Sequence, residues 1–207
     1  HNPGLLSFAA FLAREAGSGD AAPGGYLSRR LRDIFTRRDL LEMDPAPPLL
    51  RDVWLPDLQV FAARDQAGTE QGFYLAGKGG HNAESHNHND VGNFIIFLDG
   101  KPAIIDAGVE TYTRKTFSDR RYEIWTMQSR YHNLPTVNGI MQRDGADYRA
   151  DDVRYEAGEN QVRFSLELAG AYPPEAALKS LKRSLVLERG SSITLADEYE
   201  LAEVKGP

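Results

Sequence analysis

The chain predicts a mainly β fold, an antiparallel β-sandwich preceded by a few helices. Three observations carry that expectation. Apolar residues recur at helical spacing only before DPAPP (44–48), and short segments after it alternate between apolar and polar residues. Between two of those segments, Asp99-Gly100 forms a two-residue hairpin signal.

The elements follow in order. LLSFAAFLAREAG (5–17) places Leu5, Phe8, Ala9, Leu12 and Ala13 on one helical face, and Gly17 stops it. After a Gly/Ala/Pro loop, YLSRRLRDIFTRRDLLEM (26–43) repeats the spacing with Leu27, Leu31, Ile34 and Phe35. DPAPP cannot continue a helix and reads as a linker, so residues 1–48 form one region and 49–207 another. Strands are expected at 57–64, 72–78, 93–98, 102–106, 161–168, 178–188 and 192–201. VRFSLEL and LKRSLVLE alternate as half-buried antiparallel strands do.

Composition narrows the function. With 207 residues, 41% hydrophobic and 26% charged, the chain has the make-up of an ordinary soluble globular protein. No apolar run approaches the ~20 residues of a membrane span, and no signal peptide precedes the start. The abrupt opening at His1-Asn2-Pro3 and the stop after ITLADEYELAEV suggest a piece of a longer chain. There is no cysteine, hence neither disulfides nor thiolate ligands, which suits the cytoplasm and a disulfide-free periplasmic protein equally. A net charge of −6 argues against nucleic-acid binding. Basic residues cluster at Arg29, Arg30 and Arg32, at Arg37 and Arg38, and at Arg114, Lys115, Arg120 and Arg121. Only the last cluster lies near other candidate site residues, which makes Arg114 and Arg121 candidates for holding an anionic substrate; the others read as solvated faces.

Residues 81–90, HNAESHNHND, hold three of the five histidines. In an extended segment His86 and His88 would project from one face, a familiar beginning for a metal site. Two ligands do not suffice, and candidates for the rest are Asp106, at the end of the strand returning from the Asp99-Gly100 turn, and His132. The hairpin would set Asp106 beside His88, whereas His132 would need a third strand to bring it there. Taken alone, the H-x-H pair is equally readable as structural or exposed histidines in a polar loop.

The run GGHNAESHNHNDVGNFIIFLDGKPAIIDAG, followed by TYTRKTFSDRRYEIWTMQSRYHNLPTVNG, resembles the heparinase II/III-like family of polysaccharide lyases over about 60 residues. The shared pattern is H-x-H-x-D, an apolar strand, a D-G turn, a second strand ending in D-x-G, a Tyr/Arg-rich stretch and H-N. Here these are His86, His88, Asp90, Asp106, Gly108, His132 and Asn133. The resemblance implies an α/α toroid, whose end would be the helices before residue 48, joined to a C-terminal β-sandwich. It implies one zinc ion, structural in role, on His88, Asp106 and His132, with His86 facing the substrate as a catalytic histidine. Asp90 would orient an imidazole as a hydrogen-bond acceptor. Tyr122 resembles a tyrosine that contacts substrate, its alternative being an aromatic packed in the sandwich. Glu84 and His81 would line the cleft, although a polar loop explains them equally.

Such lyases cleave uronic-acid glycosides by β-elimination: a base takes the C5 proton and an acid protonates the departing 4-oxygen. Histidine and tyrosine suit those transfers. The partner implied is an acidic polysaccharide or oligosaccharide, with glycosaminoglycan, alginate and exopolysaccharide all open, and there is room for a homodimer. The family points to the periplasm or outside the cell rather than the cytoplasm. With most of the toroid lacking, this chain is expected to hold the metal and one cleft wall and to be inactive alone. Two alternatives stand beside this reading. Gly80 followed by His86-x-His88 starts a cupin motif, but Gly92 and Asn93 occupy the places where its glutamate belongs. A non-catalytic carbohydrate-binding sandwich would need an exposed aromatic platform.

Overall fold

The computed structural model describes residues 3–15 and 42–205. Two compact units divide the chain, His1–Leu49 and Leu50–Pro207. In the first, helix α1 (Pro3–Glu15) forms where a helix is expected, but the residue it buries is Ala10, outside the expected apolar set, and Leu12 and Ala13 of that set are exposed. The Ser7 hydroxyl donates to the Asp44 carbonyl, tying the returning chain to the helix. The helix expected over 26–43 falls almost wholly outside the described residues, as do the arginine clusters at 29–32 and 37–38.

The second unit is mainly β, as expected. Its strands are β1 (Asp52–Leu55), β2 (Val60–Arg64), β3 (Phe73–Lys78), β4 (His81–Asn82), β5 (Phe94–Leu98) and β6 (Lys101–Ile104), then β7 (Gly145–Arg149), β8 (Asp151–Ala157), β9 (Gln161–Glu167), β10 (Leu178–Glu188) and β11 (Ser192–Leu201). They form a five-stranded sheet, β1-β2-β3-β5-β6, a four-stranded sheet, β11-β10-β9-β8, and a small β4-β7 pair. Every pairing is antiparallel.

The period-2 pattern of β9 and β10 explains the layering. Val162, Phe164 and Leu166 face inward from β9 and Leu181, Leu185 and Leu187 from β10, all buried. They meet Phe61, Ala63, Leu75 and Phe94 of the larger sheet in one core. Phe61 stacks on Phe164 at 4.5 Å between ring centroids. Such aromatic contacts bury large apolar areas and add roughly 0.5–1.5 kcal/mol beyond them.

All seven expected strands are present, within a few residues of the expected ends. Four more were not expected, namely β1, β4, β7 and β8. β7 (GADYR) and β8 (DDVRYEA) are charged and largely exposed, so neither shows an apolar alternation. Asp99 (φ 51°) and Gly100 (φ 72°) both adopt left-handed conformations between paired Leu98 and Lys101, as a type I′ hairpin turn requires. The Asp99 side chain accepts from the Gly72 N–H at 2.8 Å and pins the turn to β3.

Candidate functional site

The histidine segment is not an extended strand. Asn87 N–H closes a turn on the Glu84 carbonyl at 3.2 Å, and His86 adopts the left-handed conformation with φ 60°. The two histidines therefore do not share a face, because the turn between them breaks the period on which that expectation rested. His86 is exposed: its Nδ1 lies 3.1 Å from the Tyr112 hydroxyl, and its ring stacks on Tyr112 at 5.6 Å and meets Phe117 edge-on. His88 is half-buried and turns toward His132, with ring centroids 5.5 Å apart.

Buried amides hold this loop in place of a regular ladder. Asn82 donates to Gln142 Oε1 (3.1 Å) and to the Arg143 carbonyl (3.0 Å), while its oxygen accepts from the Asp90 N–H. Gln142 closes on both backbone groups of Val91, accepting at 3.1 Å and donating at 2.8 Å. At Gly92, φ is 87° and an added Cβ would lie 2.7 Å from Leu168, so conformation and space both demand glycine.

Asp106 follows β6, as the hairpin predicts, yet the side chain it meets across the hairpin is Asn93 (2.6 Å) rather than His88. Its other partner is His132, whose Nδ1 lies 2.6 Å from Asp106 Oδ1. His132 arrives without a third strand, at the end of the last of four short 3-10 turns between Arg114 and Tyr131. Asn133 locks that arrival, its N–H donating to Asn93 and its amide to the Phe94 and Ile105 carbonyls. From the second sheet, buried Arg183 donates to the carbonyls of Gly92 (2.9 Å) and Asn133 (2.7 Å), its charge matched by Asp197.

Burial pushes the Asp106 carboxyl up, but hydrogen bonds from His132, the Gly108 N–H and Asn93, with the nearby His132 charge, outweigh it and hold it at about 2. Burial lowers His88, and His132 and Arg121 add to that effect against the pull of Asp90 and Asp106. His88 is thus held toward the neutral form that a metal ligand needs.

Asp90 does not orient an imidazole; its carboxylate accepts from Lys78 at 2.6 Å, and Asp106 is the carboxylate that grips a histidine. Tyr122 is half-buried, its hydroxyl accepting from the Asn87 amide at 3.1 Å. Arg121 spends its guanidinium on the backbone carbonyls of Asn87 and Thr116, clasping the histidine loop to the 3-10 segment. Arg114 is exposed at the start of that segment, and Glu84 lies 3.4 Å from the His81 ring. Sequence reasoning missed Tyr112 and Asn93 as partners of the site, and it named Asn133 in the H-N pair without giving it a role. Tyr112 was visible only as the aromatic in TYT just ahead of the basic cluster; no period marks it.

The donor set of two imidazoles and one carboxylate suits zinc. His132 Nε2 is buried without a hydrogen-bond partner, but it is the ring nitrogen opposite the one that meets Asp106, so an ion on Nε2 would not reach that carboxylate. Among the described residues no three His, Cys, Asp or Glu side chains converge closely enough to enclose an ion. At the rim, the His86–Tyr112 couple can accept, hold or release a proton.

One end of an antiparallel sandwich, carrying histidine, aspartate and tyrosine on irregular loops, thus defines the class of domain. A family model described as heparinase II/III-like, C-terminal, matches residues 49–204, and the chain belongs to that family. Among solved structures, a heparan sulfate lyase from Pedobacter heparinus is similar at 18% identity and a TM-score of 0.61, over 97% of this chain and 28% of that one. A heparinase III is similar at 18% identity and a TM-score of 0.60, over 84% of this chain and 26% of that one. These likenesses show the fold, and the chain spans little more than a quarter of the length of either structure. No curated protein matches the sequence. No helix among the described residues is long and apolar enough to cross a membrane.

Proposed function

We propose that this domain belongs to a polysaccharide lyase that cleaves uronic-acid-containing chains by β-elimination, and that His86 transfers a proton in that reaction. The observation that carries the reading is His86 itself, exposed at the site rim and hydrogen-bonded to Tyr112, within a chain of this family. Abstraction of the C5 proton leaves an electron pair that forms the C4–C5 double bond as the C4–O bond breaks; the departing oxygen takes a proton. His86, with Tyr112 against its Nδ1, is placed to take or give one of those protons. Tyr122 and Glu84 line the same loop, and Arg114 provides an exposed cation for a carboxylate. Arg121 supports the wall rather than meeting substrate.

His88, Asp106 and His132 are the residues that would hold a zinc ion, which would supply structural cross-linking between the histidine loop, the β6 end and the 3-10 segment. The 2.6 Å approach of Asp106 to His132 and the facing His88 and His132 rings support that assignment. A polymeric substrate favours a periplasmic or secreted enzyme. The test is the complete protein offered uronic-acid polysaccharides, with the ultraviolet absorbance of the unsaturated product recorded and metal content measured without chelators. Absence of unsaturated product from every uronate polymer would overturn the lyase reading, and absence of stoichiometric metal would overturn the zinc assignment alone.

A further inference from the structure

Tyr112 and Phe117 flank one short 3-10 turn, Arg114–Phe117, and both rings meet His86. Thr113 caps the turn, and it closes a reciprocal capping box with the buried Thr116. That closure brings the Tyr112 and Phe117 rings to 5.4 Å between centroids. His86 lies nearly parallel to Tyr112, at 29° between planes, and Phe117 stands close to perpendicular to both. Among the described residues no other ring or hydrogen-bond partner meets the His86 imidazole.

One side chain ties the backbone on both sides of this contact. Arg121 donates to the Thr116 carbonyl at 2.7 Å, next to Phe117, and to the Asn87 carbonyl at 2.9 and 2.7 Å, next to His86. A planar guanidinium with fixed donor directions sets the separation of two carbonyls, which a lysine ammonium cannot do. Phe117 itself is 67% exposed, so its ring does little for the core. His86 has need of such a neighbour. Its backbone is left-handed at φ 60° and its side chain is exposed, so an unsupported imidazole would turn among its rotamers. Proton transfer requires a ring held at one distance and angle.

We infer that Phe117 is a positioning residue: with Arg121 fixing the backbone separation, its ring confines the His86 imidazole to the orientation from which a proton moves. The inference rests on the lyase reading and adds to it a residue that acts through His86 rather than through the sugar.

The test compares wild type, Phe117→Ala and Phe117→Tyr in the complete protein. Phe117→Ala should lower kcat by roughly 10–10²-fold, the scale of a misplaced reacting group, with KM within about twofold and the thermal midpoint unchanged. Phe117→Tyr keeps the ring and should restore most of the turnover. A rise in KM at unchanged kcat would make Phe117 a sugar platform instead, and a lowered thermal midpoint would make it part of the fold; either result overturns the inference. A second readout needs no substrate. In nuclear magnetic resonance of isotope-labelled histidine rings, the His86 signal, identified by its loss in His86→Ala, should move or broaden in Phe117→Ala as the facing ring is removed. An unmoved His86 signal would overturn the positioning role. Failure of the lyase reading shows separately, as no unsaturated product from any uronate polymer.

Discussion

Between the two sheets, Phe61, Leu75, Phe164, Leu185 and Leu187 are withdrawn from water entirely. At the histidine end the buried side chains include Asn82, Asn87, Asn89, Asn93, Ser129, His132 and Gln142. The first set is held by apolar burial, which has no direction and tolerates small shifts. The second is held by hydrogen bonds, which fail when an angle or a partner is lost. The sandwich therefore supplies stability, and the end supplies position. The two meet at Arg183, which leaves the second sheet to hold the Gly92 and Asn133 carbonyls.

Phe164→Ala tests the sandwich side with the largest expected effect. Removing a ring packed on Phe61 and Trp54 should cost about 3–5 kcal/mol of unfolding free energy, read from urea denaturation. A loss below about 1 kcal/mol would show that the core is not where stability resides.

His86→Ala probes the other region. In the complete enzyme, turnover should fall by roughly 10²–10⁴-fold, the usual contribution of an acid–base group. Thermal stability should barely change, because the side chain is exposed and alanine keeps the same left-handed backbone at φ 60°. His88→Ala should instead lower metal content and stability together; the reverse pattern in the two variants would mean that their roles are exchanged.

Gln142→Leu removes the amide that serves Val91 and Asn82 while keeping the volume nearly constant. Unpaired backbone and amide groups should destabilise the protein by about 1–3 kcal/mol. If apolar packing also governed this end, the leucine would be neutral or stabilising in thermal melts.

The smallest effect belongs to Glu167, between β9 and β10. Burial pushes its carboxyl up, but donors from the Leu181 N–H, the Ser180 hydroxyl and the Ala169 N–H outweigh it, so the folded value lies below the ordinary one. Its stabilisation is present above the unfolded carboxyl range and disappears as the pH falls through the lowered folded value. The stability gap between wild type and Glu167→Gln, measured across an acid titration, should therefore close as the pH falls.

What could be read from the chain and what could not divide along the same line. Alternation in VRFSLEL and LKRSLVLE is a local property, since a strand that buries one face must repeat every second residue, and β9 and β10 form where that pattern lies. Asp99-Gly100 is equally local, because both residues accept positive φ cheaply. The ordered H-x-H, D-x-G and H-N elements point to the family from the sequence alone. Strands β7 and β8 escaped because exposed, charged strands carry no apolar period. The site's arrangement was decided only in three dimensions. His132 reaches Asp106 from 26 positions away along a run of 3-10 turns, and His86 meets Tyr112 across another 26. The left-handed conformation of His86, which turns it away from His88, is imposed by the Glu84–Asn87 turn and the buried amides behind it. Burial periodicity is written into neighbouring residues, whereas the partner of a directional hydrogen bond is chosen by whichever distant segment the fold delivers.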